Sequence, residues 1–299
     1  MSATAQLAPG RVTTWLLATR PRTLTAGVIP VLVGTAVAWR EGALHGPSAL
    51  AALMAALLIQ VGTNLVNDCY DFQRGADTAE RLGPPRVTQL GLVSPRAVLL
   101  AAGGCFAAAF VIGLYLVDRG GWPILVVGIA SLLSGYAYTG GPWPLAYHGL
   151  GDVFVFVFFG PVAVMGAHWV QAVRLSPLAA WVSVPVGLLA AALLVVNNLR
   201  DVSTDARAGK RTLAVRLGER ATRVQYAVLV TAAFAWPLLL GVVVGSWSSS
   251  LALGALLLCA GPLRLVWRQR GAPLNAALAG TARLHAAYGV LLAFGILTG

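Results

Sequence analysis

The amino-acid sequence predicts an all-α polytopic membrane protein, and three observations lead to this fold class. Of the 299 residues, 58% are hydrophobic and only 10% are charged, whereas charged residues make up about 25% of a typical soluble domain. The apolar residues form long runs, most of them close to the ~20 residues that a helix needs to cross a bilayer. A transmembrane β-barrel would instead show short segments of alternating polarity. A soluble domain, a disordered chain and a disulfide scaffold are therefore excluded.

Nine apolar spans are predicted, and together they form one domain over residues 1–299. They cover residues 13–39, 48–66, 97–117, 122–139, 150–170, 178–198, 225–245, 249–267 and 276–298. Pro21 and Pro30 predict that the first span is kinked or partly interfacial, because proline removes a helical hydrogen bond. The three cysteines are widely spaced and predict neither a disulfide nor a metal site.

Positive charge is distributed unevenly between the two sides of the predicted bundle. Two long connections, residues 67–96 and 199–224, follow even-numbered spans and therefore lie on the side of the N-terminus. That side carries 18 of the 21 Lys and Arg residues, which predicts that it faces the cytoplasm. The net charge of +11 thus indicates membrane orientation and anionic ligands rather than binding to nucleic acid.

Acidic residues are concentrated in the same two connections. Seven of the ten lie there, namely Asp68, Asp71, Asp77, Glu80, Asp201, Asp205 and Glu219. Charges at the end of a membrane helix are costly and by default suggest a function. Three acidic residues, Glu41, Asp118 and Glu219, are interpreted as solvated loop charges.

Each long connection begins with a cluster of Asn and Asp, and the two clusters are 130 residues apart. The first, within residues 64–89, contains Asn64, Asn67, Asp68 and Asp71, and the second, within residues 197–218, contains Asn197, Asn198, Asp201 and Asp205. Helical residues four apart lie on one face. Asn67 and Asp71 have this spacing, and so do Asp201 and Asp205. The pattern suggests a duplicated helix–loop unit with both copies facing one cavity.

The chemistry of these clusters favours a magnesium–diphosphate site at the mouth of an apolar cavity. Carboxylate and amide oxygens are hard ligands suited to Mg²⁺, and two clusters could hold two or three ions that share substrate phosphates. Arg86, Lys210 and Arg211 would bind the remaining phosphate oxygens. A single Asp at a helix end can be a cap, and an Arg near a membrane face is usually a topology charge. The matched placement of two clusters argues for the site instead.

A third polar segment, residues 136–152, follows the fourth span and is predicted to be a loop because it is rich in Gly and Pro. Its aromatic residues belong either to the interfacial aromatic belt or to a site that stabilises a carbocation, for which Tyr138 is the first candidate. Asp152 is either a helix cap or a substrate contact. His148 and His168 are interpreted as structural.

These segments resemble the UbiA superfamily of intramembrane aromatic prenyltransferases. Asn67-Asp68-x-x-Asp71 is similar to the first Asp-rich motif of that family, and Asp201-x-x-x-Asp205 is similar to the second. The general first motif has another Asp four residues after Asp71, where this sequence has Gly75 and then Asp77. That departure resembles the branch that prenylates 1,4-dihydroxy-2-naphthoate, as do residues 81–89, 138–160 and 209–218.

The resemblance implies nine transmembrane helices around a central cavity, with two Asp-rich cytoplasmic loops, in a bacterial cytoplasmic (inner) membrane. It implies Mg²⁺-dependent transfer of a polyprenyl group from polyprenyl diphosphate to 1,4-dihydroxy-2-naphthoate, giving demethylmenaquinol in menaquinone synthesis. Implied catalytic residues are Asp71, Asp77, Asp201, Asp205 and Tyr138. Implied magnesium ligands are Asn67, Asp68, Asp71, Asp77, Asp201 and Asp205. Implied substrate-binding residues are Asn64, Asn67, Asp68, Arg22, Arg86, Gln89, Asp152, Asn198, Lys210 and Arg211.

Three alternatives remain at this point. Within the enzyme class, the acceptor could be another aromatic compound such as 4-hydroxybenzoate. A cation transporter would use the carboxylates for a translocated ion, although charged residues stacked on one side argue against access from both sides. A non-catalytic scaffold that binds quinone or lipid would not need two magnesium motifs.

Overall fold

The structure, a computed structural model, describes residues 10–244 and 247–299, without the side chains of Arg22 and Val244. The predicted contact between Arg22 and substrate therefore lies outside the described side chains. Eleven α-helices are described: α1 (Arg11–Thr19), α2 (Pro21–Arg40), α3 (Gly46–Gln73), α4 (Pro95–Gly120), α5 (Trp122–Ala137), α6 (Gly151–Val157), α7 (Ala163–Ala172), α8 (Pro177–Arg207), α9 (Leu213–Val244), α10 (Ala260–Arg268) and α11 (Leu274–Thr298). A π-helical turn, Phe158–Val162, joins α6 to α7, and 3₁₀ helices cover Leu145–His148 and Ser248–Leu258.

The predicted all-α membrane fold is confirmed for the described chain, but the count of nine spans is not. Seven helical segments are long and apolar enough to cross a membrane, and α6 with α7 forms one of them. An eighth span results if Ser248–Leu258 and α10 are counted together across their 48° bend. The remaining predicted span, residues 122–139, corresponds to α5, a shorter apolar helix of 16 residues. Large apolar side chains such as Leu100 and Leu133 are exposed on the outer surface, as expected of an integral membrane protein.

The first predicted span is broken at Arg20, which separates α1 from α2. Arg20 has left-handed backbone angles (φ 53°, ψ 67°), and Pro21 starts the next helix, a position where proline is favoured. The Asn64 amide donates to the Thr19 carbonyl at 3.0 Å, and the Arg20 guanidinium donates to the Asn64 carbonyl at 3.0 Å. Asn64 therefore fastens this break to α3.

The two Asn/Asp clusters lie on helix ends, as their spacing predicts, but the predicted boundaries of the two spans fall too early in the chain. The second span was predicted to end at residue 66 and the sixth at residue 198, yet α3 continues to Gln73 and α8 continues to Arg207. Hydropathy marks where a helix leaves the apolar layer, whereas the backbone hydrogen bonds continue into the polar residues beyond it. Asn67, Asp68, Asp71, Asp201 and Asp205 therefore project from helices, and only Asp77 lies in a loop.

Helix α8 is the most buried of the long helices, and α2, α9 and α11 pack around it in one apolar core. On another side the turn between α6 and α7 approaches α8 closely. A Cβ atom on Gly160 would lie 2.9 Å from Gly187 Cα, so only glycine permits this backbone contact. Pro161 lies inside the turn and cannot donate a helical hydrogen bond, which accounts for the π-helical step.

Glu41, interpreted from sequence as a solvated charge, is instead the centre of a network at the end of the bundle away from the Asp clusters. The Ser176 hydroxyl donates to Glu41 Oε1 at 2.5 Å, and His168 Nε2 and Arg174 Nη2 lie 3.0 and 3.2 Å from Oε2. Burial raises the pKa of Glu41, but the bonds from Ser176 and His168 lower it more, and its pKa lies below its ordinary value. Glu41 thus joins the end of α2 to α7 and the start of α8.

We predict that Glu41→Gln lowers the free energy of unfolding by about 1–3 kcal/mol, because buried partners of a lost charge remain unsatisfied. The matched control is Glu80→Gln, whose pair with Arg207 is exposed and is worth at most about 1 kcal/mol. Chemical unfolding in detergent micelles measures both. Because the folded pKa of Glu41 is depressed, its contribution is present at neutral pH and is lost in acid. Equal stability of the two variants at neutral pH would contradict the network.

Candidate active site

Helices α3 and α8 bring one carboxylate each to the same lysine. Lys210 Nζ lies 3.4 Å from Asp71 Oδ2 and 3.9 Å from Asp205 Oδ1, and both aspartates are buried. Burial lowers the pKa of Lys210, but Asp71 and Asp205 raise it more, and the ammonium group stays charged. The two predicted motifs therefore meet at one cation, as the sequence pattern indicated.

Tyr147 is the aromatic residue that contacts this centre directly. Its hydroxyl donates to Asp71 Oδ1 at 2.9 Å, and Lys210 Nζ lies 5.3 Å from the centre of its ring. Burial and the neighbouring Asp71 raise the pKa of Tyr147, so the hydroxyl remains a donor. Arg74 lies on the same ring at 5.0 Å and donates to the carbonyls of Thr139 and Gly141. The loop after α5 is thereby fastened to the end of α3.

Asp201 is bound to Arg200 rather than to the lysine. The Arg200 guanidinium donates to both carboxylate oxygens of Asp201, from Nε at 2.8 Å and from Nη2 at 2.5 Å. Its Nη2 also donates to Asn197 Oδ1, and its Nη1 donates to Asn275 Oδ1. The Asn275 amide donates to the Leu82 carbonyl at 2.8 Å. Arg200 is 2% exposed and so joins α8, α11 and the loop after α3.

Asp77 is enclosed by two arginines of its own loop. Arg81 is ion-paired with Asp77 Oδ1, and Arg86 Nε lies 3.2 Å from Oδ2. Burial and the nearby Arg20 lower the pKa of Arg81 to about 10. Arg86 is 8% exposed, and its Nη1 atom has no hydrogen-bond partner among the described residues. These arginines carry N–H groups that could donate hydrogen bonds to an anion.

Asp68 and Asn67, both predicted as metal ligands, are occupied by contacts with loops. Asp68 accepts from the backbone N–H groups of Val87 and Thr88 at 3.3 and 3.2 Å and from the Thr88 hydroxyl. Asn67 Oδ1 accepts from the Thr139 hydroxyl at 2.6 Å. The structure brings neither residue to Lys210, and each holds a loop against α3.

The other predicted substrate contacts fall into two groups. Asn198, Gln89 and Arg211 make no side-chain hydrogen bond or ion pair within the described residues, although the Arg211 backbone N–H donates to the Tyr147 carbonyl at 3.2 Å. Asp152 faces α9, where the Gln225 amide donates to its Oδ1 atom at 3.1 Å. Its Oδ2 atom is buried without a hydrogen-bond partner among the described residues.

An apolar cavity of about 230 Å³ extends from Tyr138 between helices α2 to α7. Its lining is mainly aliphatic and aromatic and includes Phe154 and Phe158. Gln60 is one of its few polar residues. Gly151 leaves room for the tyrosine, since a Cβ atom there would lie 2.9 Å from Tyr138 Oη. The predicted aromatic residue therefore lines the cavity, while Tyr147 contacts the carboxylates.

The donor set fits magnesium that is shared with a ligand rather than a closed protein site. Within residues 10–244 and 247–299, no group of three or more His, Cys, Asp or Glu side chains is arranged to hold a metal. One carboxylate oxygen of Asp71 and one of Asp205 nevertheless face the same position, which Lys210 Nζ occupies. Magnesium is commonly held by one or two carboxylates, with waters and substrate phosphates completing its shell.

Long apolar helices, an apolar cavity between them that is lined by Tyr138, and paired carboxylates at the helix ends together define a helical membrane protein with a polar site. Residues 27–288 match the model of the UbiA prenyltransferase family. The chain belongs to the UbiA prenyltransferase family, which confirms the predicted family.

Relatives in this family are similar over most of their length. The chain is 42% identical over 256 residues to the 1,4-dihydroxy-2-naphthoate octaprenyltransferase of Mycobacterium tuberculosis, covering 84% of this chain and 86% of that protein. It is 32% identical over 287 residues to the Bacillus subtilis protein of the same name, covering 95% and 91%.

Solved structures share the fold at low sequence identity. A UbiA homolog from Aeropyrum pernix K1 superposes with a TM-score of 0.68 at 16% identity, covering 92% of this chain and 97% of that one. A UbiA homolog from Archaeoglobus fulgidus bound to DMAPP and Mg²⁺ gives a TM-score of 0.59 at 16% identity, covering 95% and 99%.

Four residues at the site were not singled out from sequence: Arg74, Arg81, Arg200 and Tyr147. The three arginines were counted only as topology charges or as part of a resembling segment. Arg200 did carry a signal, because it adjoins Asp201 at the end of an apolar helix. Tyr147 lay in the aromatic segment, where nothing in the sequence distinguished it from Tyr138.

Proposed function

We propose that the protein transfers a polyprenyl group from polyprenyl diphosphate to 1,4-dihydroxy-2-naphthoate with decarboxylation, which yields demethylmenaquinol for menaquinone synthesis. The observation that carries the proposal is the meeting of Asp71 and Asp205 at Lys210, beside a cavity fit for an apolar chain. The names of relatives at 42% and 32% identity support the choice of acceptor. No feature of the site favours 4-hydroxybenzoate or a translocated cation.

Asp71 and Asp205 are the residues we assign to Mg²⁺, and two or three ions would be shared with the diphosphate. The metal supplies positive charge that stabilises the leaving diphosphate. A UbiA homolog that binds DMAPP and Mg²⁺ has the same fold, which supports this assignment. Asp77 and Asp201, also predicted as ligands, act in this proposal through the arginines that they hold.

The cationic residues would bind the phosphate oxygens. Lys210, Arg81, Arg86 and Arg200 lie around the carboxylates, and Arg86 Nη1 has no hydrogen-bond partner in the described part of the chain. Guanidinium groups suit phosphate because their fork donates two parallel hydrogen bonds. Donors already oriented by Asp77 and Asp201 need little rearrangement when charge develops on the leaving group.

The apolar cavity would hold the prenyl chain and exclude water from the reacting carbon. In the transfer, the C–O bond to diphosphate breaks and the allylic carbon gains a bond to the ring carbon that carries the carboxylate. Carbon dioxide then leaves, and its bonding electrons return to the ring, which restores aromaticity. In this proposal the ring of Tyr138 stabilises the allylic cation. Asp152 would contact the aromatic acceptor.

The membrane location and orientation belong to the same proposal. We place the protein in a bacterial cytoplasmic membrane with the carboxylate end in the cytoplasm, on the basis of the bias in Lys and Arg. Cysteines introduced at Thr78 and Thr204 should then be labelled only after the membrane is made permeable. Labelling of either position from the outer face of intact cells would overturn the orientation.

Asp71→Asn and Asp205→Asn should each lower turnover by about 10²–10³, since each removes one electrostatic contact with the leaving group. The matched control is Asp118→Asn, at an exposed position near the end of α4, which should keep wild-type activity. Purified protein is assayed with polyprenyl diphosphate and 1,4-dihydroxy-2-naphthoate, with 4-hydroxybenzoate in parallel.

EDTA should abolish the wild-type activity, and Mg²⁺ should restore it. Equal turnover of Asp71→Asn and Asp118→Asn would refute the site. Preference for 4-hydroxybenzoate would overturn only the acceptor.

Tyr147→Phe should weaken Mg²⁺ binding in the presence of diphosphate by about tenfold or more, because it removes the hydroxyl that orients a ligand carboxylate. The ring that contacts Arg74 and Lys210 is retained. Calorimetric titration of Mg²⁺ into protein saturated with a non-reactive diphosphate analogue measures the effect.

Tyr136→Phe is the matched control, because its hydroxyl bonds only to Tyr70 at 2.8 Å among the described residues. Unchanged Mg²⁺ affinity in Tyr147→Phe would show that this hydroxyl does not orient Asp71.

A further inference from the structure

Three exposed arginines, Arg264, Arg268 and Arg283, lie on the outer surface of α10 and α11, and we call them the arginine stripe. None of them forms an ion pair or side-chain hydrogen bond within the part of the chain that the structure describes. Their neighbours differ in this respect. Arg223 and Arg270 share Glu219 at 3.1 and 2.8 Å, so the local carboxylate is already engaged.

Helix α10 directs its two arginines away from the protein. Pro262 and Val266 are buried, whereas Arg264, Trp267 and Arg268 are exposed. At 100° per residue, Arg264 lies nearly opposite the buried pair, with Trp267 and Arg268 on either side of it. The outward face of this short helix is therefore cationic and aromatic.

Arg283 occupies the face of α11 that would contact lipid. Its neighbours Ala282 and Leu284 are buried, while Val290 and Phe294, further along the same side of the helix, are 51% and 56% exposed. Arg283 follows the start of α11 at Leu274 by nine residues, which corresponds to about 13 Å of helix. A guanidinium that faces hydrocarbon is costly unless it reaches an anionic partner.

The stripe belongs to one surface at the site end of the bundle. A Cβ atom on Gly280 would lie 2.7 Å from the Pro262 ring, so α10 and α11 are in contact one turn from Arg283. Asn275, near the start of α11, contacts Arg200 and the Leu82 carbonyl of the site. The arginines therefore face the membrane leaflet on the site side.

We propose that the arginine stripe binds the headgroup of an anionic phospholipid such as phosphatidylglycerol. Arg264 and Arg283 extend their apolar stems along the helices and place their guanidinium groups at headgroup level. The phosphate accepts paired N–H bonds from them, and Trp267 lies at the same interface. The proposal does not depend on the enzymatic function, because none of these residues contacts the carboxylate site.

The test counts lipids bound to the detergent-purified protein by native mass spectrometry, during titration with phosphatidylglycerol or phosphatidylcholine of the same acyl chains. Wild-type protein should bind phosphatidylglycerol more tightly. Combined Arg264→Gln and Arg283→Gln should weaken that binding by about 25-fold, at roughly fivefold for each arginine near an anionic lipid. The charge-matched control combines Arg11→Gln with Arg96→Gln, two exposed arginines elsewhere, and should bind as the wild type does.

An equal loss of phosphatidylglycerol binding in both double variants would show that overall charge attracts the lipid, and would overturn a localised site. Equal wild-type affinity for the two lipids would overturn recognition of the headgroup charge. If the glutamine variant does not fold, combined Arg264→Lys and Arg283→Lys keeps the charge but loses the paired bonds, and should weaken binding by severalfold. Wild-type binding of phosphatidylglycerol should also decrease as salt increases, and salt-independent binding would count against the proposal.

Discussion

Burial of carboxylates where α3 and α8 leave the apolar layer is the constraint on which the rest of the site depends. An unpaired carboxylate in such surroundings is strongly destabilising, and four of the carboxylates here have a defined cation. Asp68 is instead held by the backbone N–H groups of residues 87 and 88. Asp71 and Asp205 share Lys210, Asp201 binds Arg200, and Asp77 binds Arg81 and Arg86. Because Lys210 follows α8 whereas Asp71 lies on α3, their ion pair also joins those two segments.

The loops of the polar end are ordered by the same contacts. Asp68 binds the backbone of residues 87 and 88, Arg74 binds the carbonyls of residues 139 and 141, and Asn275 binds the carbonyl of Leu82. Asp68, Arg74 and Asn275 therefore hold the loops that carry other polar side chains of the site. In such a network, substitution of one member changes the position of several others.

Much of this arrangement was predictable from sequence, and the remainder depended on contacts distant in the chain. Hydropathy identified the apolar helices, and the repeated Asn/Asp clusters led to Asp71, Asp205 and Lys210. The extension of α3 to Gln73 and of α8 to Arg207 was missed, because hydropathy reports the apolar layer and not the end of a helix. The pairing of Arg200 with Asn275 and of Tyr147 with Asp71 joins residues 75 and 76 positions apart, and one sequence contains no signal for such pairs.

The two ends of the bundle differ in how their charges are balanced, and this difference connects the site with the surrounding membrane. At one end Glu41 is the acceptor for His168 and Arg174, so its charge is matched by its neighbours. At the other end cations exceed carboxylates. Lys210 and three arginines pair with four aspartates, while Arg86 Nη1 and the arginine stripe have no partner within residues 10–244 and 247–299. An excess of buried or membrane-facing positive charge is stable only with anions from outside the chain. Diphosphate within the site and anionic headgroups around it would both supply that charge.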